Sequence, residues 1–110
     1  MPPGSRRLDV AELALEAALG VPAVHAGDGG SDGLRVTAAP PDRTLRGVSA
    51  IAQADGRYCV DLRLVAGLVP LYALGEEVRG RVRRAAAEAG LADHVGEINV
   101  EFSSVSEAGQ

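Results

Sequence analysis

The most regular pattern in the chain is an alternation of residue types between Tyr58 and Val65. The even positions are Tyr58, Val60, Leu62 and Leu64, and the odd positions are Cys59, Asp61, Arg63 and Val65. A period of two predicts a strand with one apolar face and one mixed face. The pair Asp55-Gly56 precedes it and favours a two-residue type I′ turn, so residues 48–54 and 57–65 are predicted to form a hairpin.

Two stretches show helical spacing of apolar residues instead. The first helix is predicted from Val10 to Leu19, with Asp9 and Glu12 as a capping box and Gly20 as the stop. The second is predicted to follow Pro70 and to end near Ala89. Its predicted apolar stripe is Leu71, Leu74, Val78, Val82, Ala85, Ala86 and Ala89.

The remaining elements are short. Residues 23–25 are predicted to be extended, Leu34 to Ala38 reads as a strand, and residues 27–33 and 40–42 read as loops. Ile98, Val100 and Phe102 alternate with polar residues in a last strand. The order α-β-β-β-α-β predicts an α+β domain with two helices on one face of a mainly antiparallel sheet.

The length of 110 residues suits one core. We expect a flexible N-terminus over residues 1–7, a single domain over residues 8–105 and a flexible tail over residues 106–110. With no Trp and one Phe, the core is predicted to be aliphatic.

The formal net charge of −4 argues against nucleic acid or anionic lipid as a partner of the whole surface. The N-terminus lacks the apolar stretch of a signal peptide, and no segment has the length of a membrane-spanning helix. The single cysteine, Cys59, fits a reducing compartment. These features predict a cytoplasmic protein that does not insert into a membrane.

Candidate chemistry is sparse. Cys59 has no neighbour in sequence that would lower its pKa, and the two histidines, His25 and His94, are far apart. The Gly-rich segment 27–33 lacks the GK[ST] ending of a P-loop, and as a calcium loop it lacks the final Glu. We therefore predict no catalytic residue, no cofactor, no metal and no enzymatic activity.

One basic cluster remains on the second helix: Arg79, Arg81, Arg83 and Arg84. Its members are candidates for contact with a partner or with nucleic acid. On a helical wheel they divide between the two flanks of the apolar stripe, with glutamates among them, which favours a solvated, ion-paired face. The absence of interleaved aromatic residues weakens an RNA-binding interpretation.

Taken together, several of these segments resemble the alkaline-shock, or Gls-type, envelope stress response family of bacteria. The resemblance lies in the strand at 58–65, the break at 67–70, the helix segment 77–82, the Gly90-Leu91 step and the strand Ile98-Asn99-Val100-Glu101-Phe102. More loosely, the segment Ala11 to Leu19 stands where the family has its opening helix, and the step Val21-Pro22-Ala23-Val24 also matches, although Ala23 stands where the family has Gly. The resemblance to this family covers about 90 residues of the chain.

This resemblance implies a non-enzymatic cytoplasmic protein that acts through partners, near the membrane. We therefore expect a protein-interaction or scaffold module that binds itself, a membrane-associated protein, or both. The alternatives are a nucleic-acid-binding domain that uses Arg79, Arg81, Arg83 and Arg84, and an accessory domain of an enzyme system. A salt series would distinguish nucleic-acid binding, because phosphate contacts weaken steeply with salt.

Overall fold

A computed structural model of the chain describes residues 3–29, 36–39 and 43–105. It confirms the α+β class and the predicted order of elements, and it contains more strands than predicted. In chain order the elements are helix α1 (Pro3–Leu19), strands β1 (Val24–Gly27), β2 (Val36–Ala39), β3 (Arg43–Arg46), β4 (Val48–Ala52) and β5 (Tyr58–Ala66), helix α2 (Leu71–Glu88), a 3₁₀ turn (Ala92–His94) and strand β6 (Val95–Val105).

Strand β5 is the centre of a four-stranded sheet. One of its edges pairs with β6 in parallel along its whole length. The other edge pairs antiparallel with β4 over Tyr58–Leu62 and with β1 over Leu64–Ala66. Parallel neighbours need a long crossover, which α2 provides between β5 and β6. Strands β2 and β3 form a separate antiparallel pair.

Both helices pack on the apolar face of this sheet and against each other. The alternation predicted for β5 is confirmed, because Val60, Leu62 and Leu64 are fully buried while the odd-numbered residues are only partly covered. The helices contribute Val10, Ala11, Ala14, Leu15, Ala18, Leu74, Val78, Val82 and Ala86 to the same core. The core is therefore aliphatic, as the composition predicts.

The first helix is longer than predicted. It begins at Pro3, so residues 3–7 are helical and the proposed cap, Asp9, lies inside the helix. Proline is tolerated in the first turn, where its missing N–H costs nothing, and this allows the earlier start. The second helix matches its predicted bounds, but Leu71 and Ala89 at its two ends are exposed and do not belong to the buried stripe.

The β4–β5 hairpin exists, but its turn is not type I′. That turn needs positive φ at both central residues, and only Gly56 has it (φ 87°). The Gln53 N–H donates to Arg57 O (2.8 Å) and the Gly56 N–H donates to Gln53 O (3.2 Å). The connection is thus a three-residue loop, in which a type I turn is followed by a left-handed glycine.

Strand β3 was not predicted from the sequence. Its sequence is Arg-Thr-Leu-Arg, and Leu45 lies buried between the exposed Thr44 and Arg46, so the strand carries no alternating signal of useful length. Of the two predicted loops, residues 30–33 and 40–42 lie outside the described part of the chain, as do Leu34 and Arg35 of the predicted strand. Gly27 closes β1, and Gly29 is buried.

Candidate interaction surface

The backbone of β5 determines which groups of β6 face outwards. The Arg63 N–H donates to Gly47 O and Arg63 O accepts from the Asp28 N–H, both at 2.8 Å. The backbone N–H and C=O of Arg63 therefore point to the edge of β5 that pairs with β1 and β4. The backbone N–H and C=O groups of successive residues point to opposite edges of a strand. The residues of β5 whose backbone N–H and C=O point towards β6 are therefore Val60, Leu62 and Leu64.

In two parallel strands, each pair of adjacent residues has one member whose backbone N–H and C=O bond to the partner strand. The N–H and C=O of the other member point away from the partner strand. Val60, Leu62 and Leu64 lie beside Ile98, Val100 and Phe102. These three residues of β6 consequently direct both N–H and C=O to the outer edge of the sheet. The register shifts just beyond them, between the pairs made by Leu64 and Val65, so the regular edge ends there.

Two arginines of the basic cluster cover the first half of this edge. Arg83 donates from one terminal nitrogen to Gly96 O (3.1 Å), and Arg79 donates from Nε to Ile98 O (3.0 Å). Arg79 also forms an ion pair with Glu76 at 2.8 Å. Charged side chains placed along an edge discourage pairing with another strand. Arg79 and Arg83 therefore have an intramolecular role that the sequence does not reveal.

The spacing of these arginines explains why the second half of the edge is open. Helix α2 runs antiparallel to β6, so each step of four residues along the helix corresponds to two residues along the strand. After Arg83 and Arg79 the next residue on this flank is Gly75, which is buried and has no side chain to place over the edge near Phe102. The result is a groove of about 310 Å³. It is lined by Leu71, Tyr72, Gly75, Glu76 and Arg79 of α2 and by Val100 and Phe102 of β6.

An apolar patch adjoins the groove. Of the seven large hydrophobic residues exposed in the described part of the chain, five belong to it: Leu68, Val69, Leu71, Tyr72 and Val105. Four of them fall within the five residues that lead from β5 into α2, and Val105 pairs with Ala66 just before that segment, so all five lie at the same end of the sheet. Val69 faces the β1 side of α2, beside Ala23, and Leu71 and Tyr72 face the groove. Tyr72 is 83% exposed and Leu68 66%.

The sequence contains a signal for this apolar patch that the periodicity analysis missed. Leu68, Val69 and Tyr72 are apolar, yet none of them fits the buried stripe of α2. Apolar residues that no predicted face can bury are candidates for an interface.

The other two arginines of the cluster face a different region. Arg81 and Arg84 line a wider groove of about 540 Å³ between the helices, together with Glu88 and with Ala17 and Gly20 from the end of α1. Arg81 also lies 3.9 Å from Glu77. The four arginines are therefore two separate pairs on opposite flanks of α2, as the helical wheel predicts, and not one basic patch. Contact of this pair with a partner stays a prediction.

No family model, curated protein or solved structure matches the chain. The resemblance to the alkaline-shock family thus rests on the sequence motifs alone, which here form β5, α2, the left-handed Gly90 and β6. No helix among the described residues is both long and apolar enough to cross a membrane.

The candidate metal ligands do not form a site in the described part of the chain. Across residues 3–29, 36–39 and 43–105, no three His, Cys, Asp or Glu side chains are grouped so that they could hold a metal ion. Cys59 lies on the open face of the sheet, where Asn99 Nδ2 donates to its Sγ (3.4 Å) and to Asp61 Oδ1 (3.0 Å). Partial burial raises the pKa of the Cys59 thiol, and the charges of Asp61 and Glu97 raise it further, against the opposing effect of Asn99.

The raised pKa predicts slow alkylation of Cys59. We expect iodoacetamide to react with the folded protein at neutral pH more slowly than with the urea-unfolded chain, because the thiolate is the reactive form. Asp61→Asn removes one of the negative charges and should accelerate the reaction of the folded protein. The rates can be measured by intact-mass spectrometry. A folded protein that reacts faster than the unfolded chain would contradict this assignment.

Proposed function

We propose that this domain is a protein-interaction module that associates, with itself or with another protein, through the apolar patch and the adjoining groove. The observation that carries the proposal is that five exposed large hydrophobic residues lie at the end of the sheet where β5 leads into α2 and β6 ends. Contiguous apolar surface of this kind is costly to leave in water and marks interaction sites on soluble proteins.

The resemblance to the alkaline-shock family supports the same proposal from the sequence. It implies assembly through partners, with a membrane-associated protein as one candidate and a membrane-proximal, cytoplasmic location. The open end of the β6 edge supports association as well, because exposed backbone donors and acceptors can pair with another chain. Nucleic-acid binding is less well supported, since Arg79 and Arg83 already donate to β6 and the net charge is −4.

Substitutions in the apolar patch test this proposal. Leu68→Ser and Tyr72→Ser should weaken association at least tenfold while the melting temperature changes little, because both side chains are largely exposed. Light scattering over a concentration series measures self-association, and affinity purification from the native cells measures capture of other proteins.

Ile51→Ser is the matched control. Ile51 is also exposed, but it lies on β4 outside the apolar patch, so its replacement should leave association unchanged. The proposal is wrong if the Leu68 and Tyr72 variants associate as the wild type does. It is also wrong if the wild type is monomeric at all concentrations and captures no protein that these variants lose.

A further inference from the structure

We infer that the groove between α2 and β6 binds the carboxyl-terminal segment of another protein in extended form, with its last residue apolar. The peptide would add as an antiparallel strand to the open edge of β6. This inference rests on the proposed function and names the kind of partner for the same surface.

The order of backbone groups along the edge supports strand addition. Ile98 O is already an acceptor for Arg79, whereas the N–H and C=O groups of Val100 and Phe102 face outwards where no arginine follows. An antiparallel strand exchanges two hydrogen bonds with each outward-facing residue of its neighbour. Val100 and Phe102 are therefore two adjacent pairing positions, and Arg79 marks the point beyond which pairing stops.

The direction of the peptide follows from the donors at that point. A strand antiparallel to β6 approaches Arg79 with its carboxyl end. A terminal carboxylate opposite Val100 would accept from the Val100 N–H and would share the Arg79 guanidinium with Glu76, which lines the same groove and is paired with it at 2.8 Å. The guanidinium has five N–H donors, and Ile98 O and Glu76 use two of them. Charge-assisted hydrogen bonds of this kind are stronger than neutral ones. A chain continuing past Val100 would instead meet the Arg79 guanidinium, which lies over the edge at Ile98 O.

The side chains of the groove select apolar residues. In a hydrogen-bonded antiparallel pair, opposite side chains project from the same face. The side chains of Val100 and Phe102 lie on the face against the core, so the last and third-last residues of the peptide would project toward α2. There they meet the groove, which Gly75, Leu71 and Tyr72 line on the α2 side.

Two other occupants fit less well. A second copy that paired through its own Val100 and Phe102 would place Glu101 directly opposite its counterpart, and like charges in that position are destabilising. The ion pair of each Glu101 with Arg63 of its own chain, at 3.3 Å, offsets part of this repulsion. Residues 106–110 of this chain, Ser-Glu-Ala-Gly-Gln, contain no large apolar side chain for the groove.

The test uses labelled heptapeptides in which the last and third-last residues are each Val, Leu or Phe, made with a free carboxylate or with a terminal amide. Fluorescence polarisation should show that at least one free acid binds, and that its amide binds at least tenfold more weakly. Arg79→Gln should reduce the affinity for the acid and leave the affinity for the amide nearly unchanged.

Two glycine variants of α2 locate the site. Gly75→Leu fills the groove and should abolish binding, and a Cβ at Gly75 makes only ordinary contacts (3.5 Å to Arg79, 3.9 Å to Phe102). Gly80→Leu is the matched control, since Gly80 is exposed in the same helix with nothing within 4 Å, and it should bind as the wild type does.

The inference is overturned if no peptide of the set binds, if acid and amide bind equally, or if Gly75→Leu binds as Gly80→Leu does. Those results would leave the proposed function standing wherever the Tyr72 and Leu68 variants still lose association. Loss of peptide binding and retention of association are thus separate outcomes.

Discussion

Gly47→Ala is expected to destabilise the domain by about 3–5 kcal/mol, a large part of the total stability of a domain of this size. Gly47 has a φ of 95°, a backbone conformation that residues with a side chain rarely adopt. A Cβ there would also lie 2.6 Å from the Gly27 Cα, 2.7 Å from Arg63 O and 2.8 Å from the Asp28 nitrogen. All three are backbone atoms in the central sheet or directly next to it, so none can move aside cheaply.

The crowding at Gly47 has a cause in the topology. Strands β1 and β4 share one edge of β5, and the end of β1 meets the start of β4 opposite Arg63. A Cβ on Gly27 would in turn lie within van der Waals overlap of Arg46 O. Both glycines therefore permit a close approach of two backbones at the junction.

Gly56→Ala is the matched control for this prediction. Gly56 also has positive φ, but nothing lies within 4 Å of the position of its Cβ, so only the backbone strain of about 1–2 kcal/mol should appear. Urea denaturation followed by circular dichroism measures both variants. Equal midpoints for Gly47→Ala and Gly56→Ala would show that the junction is not crowded.

The sequence predicts those elements that bury one face over many residues. Strand β5 and helix α2 have periods of two and 3.6 that their burial reproduces, because the core removes the same face from water along each whole element. Strand β3 has one large apolar residue, Leu45, so no local pattern distinguishes it from a loop.

The sequence does not predict the open edge of β6 or the arginines that lie over its first half, because both depend on pairing between distant segments. The alternation of Ile98, Val100 and Phe102 predicts a strand but does not show that it lies parallel to β5 at the end of the sheet. Without that placement, Arg79 and Arg83 are simply exposed charges on a helix. Their hydrogen bonds to β6, and the gap left by Gly75, exist only in the folded molecule.

The apolar patch is an intermediate case. Its residues are visible in the sequence as apolar positions that no predicted face accommodates, such as Leu68 and Tyr72. Their convergence with Val105 requires the parallel pairing of Ala66 with the end of β6. The residue types thus indicate an unsatisfied apolar surface, and the topology gathers that surface into one place.

Val82→Asp is expected to unfold the domain at neutral pH, with a cost above about 4 kcal/mol. Val82 is fully buried in the centre of the α2 stripe, and Val78 one turn earlier has the same burial, so Val78→Asp should act in the same way. The surrounding core is aliphatic, and an introduced carboxylate would lie among side chains that cannot hydrogen-bond to it. The expected result is loss of the cooperative thermal transition in circular dichroism.

Arg83→Ala, at the position next to Val82, is the control for this prediction. It tests whether the effect of Val82→Asp comes from burial or whether α2 tolerates no substitution. The Arg83 side chain is exposed, and its hydrogen bond to Gly96 O at the sheet edge can be replaced by water, so the expected cost is about 0.5–1 kcal/mol. The alanine also favours the helix slightly. If Arg83→Ala were the more damaging change, the stability of the domain would depend on the covered edge of β6 more than on the aliphatic core beneath α2.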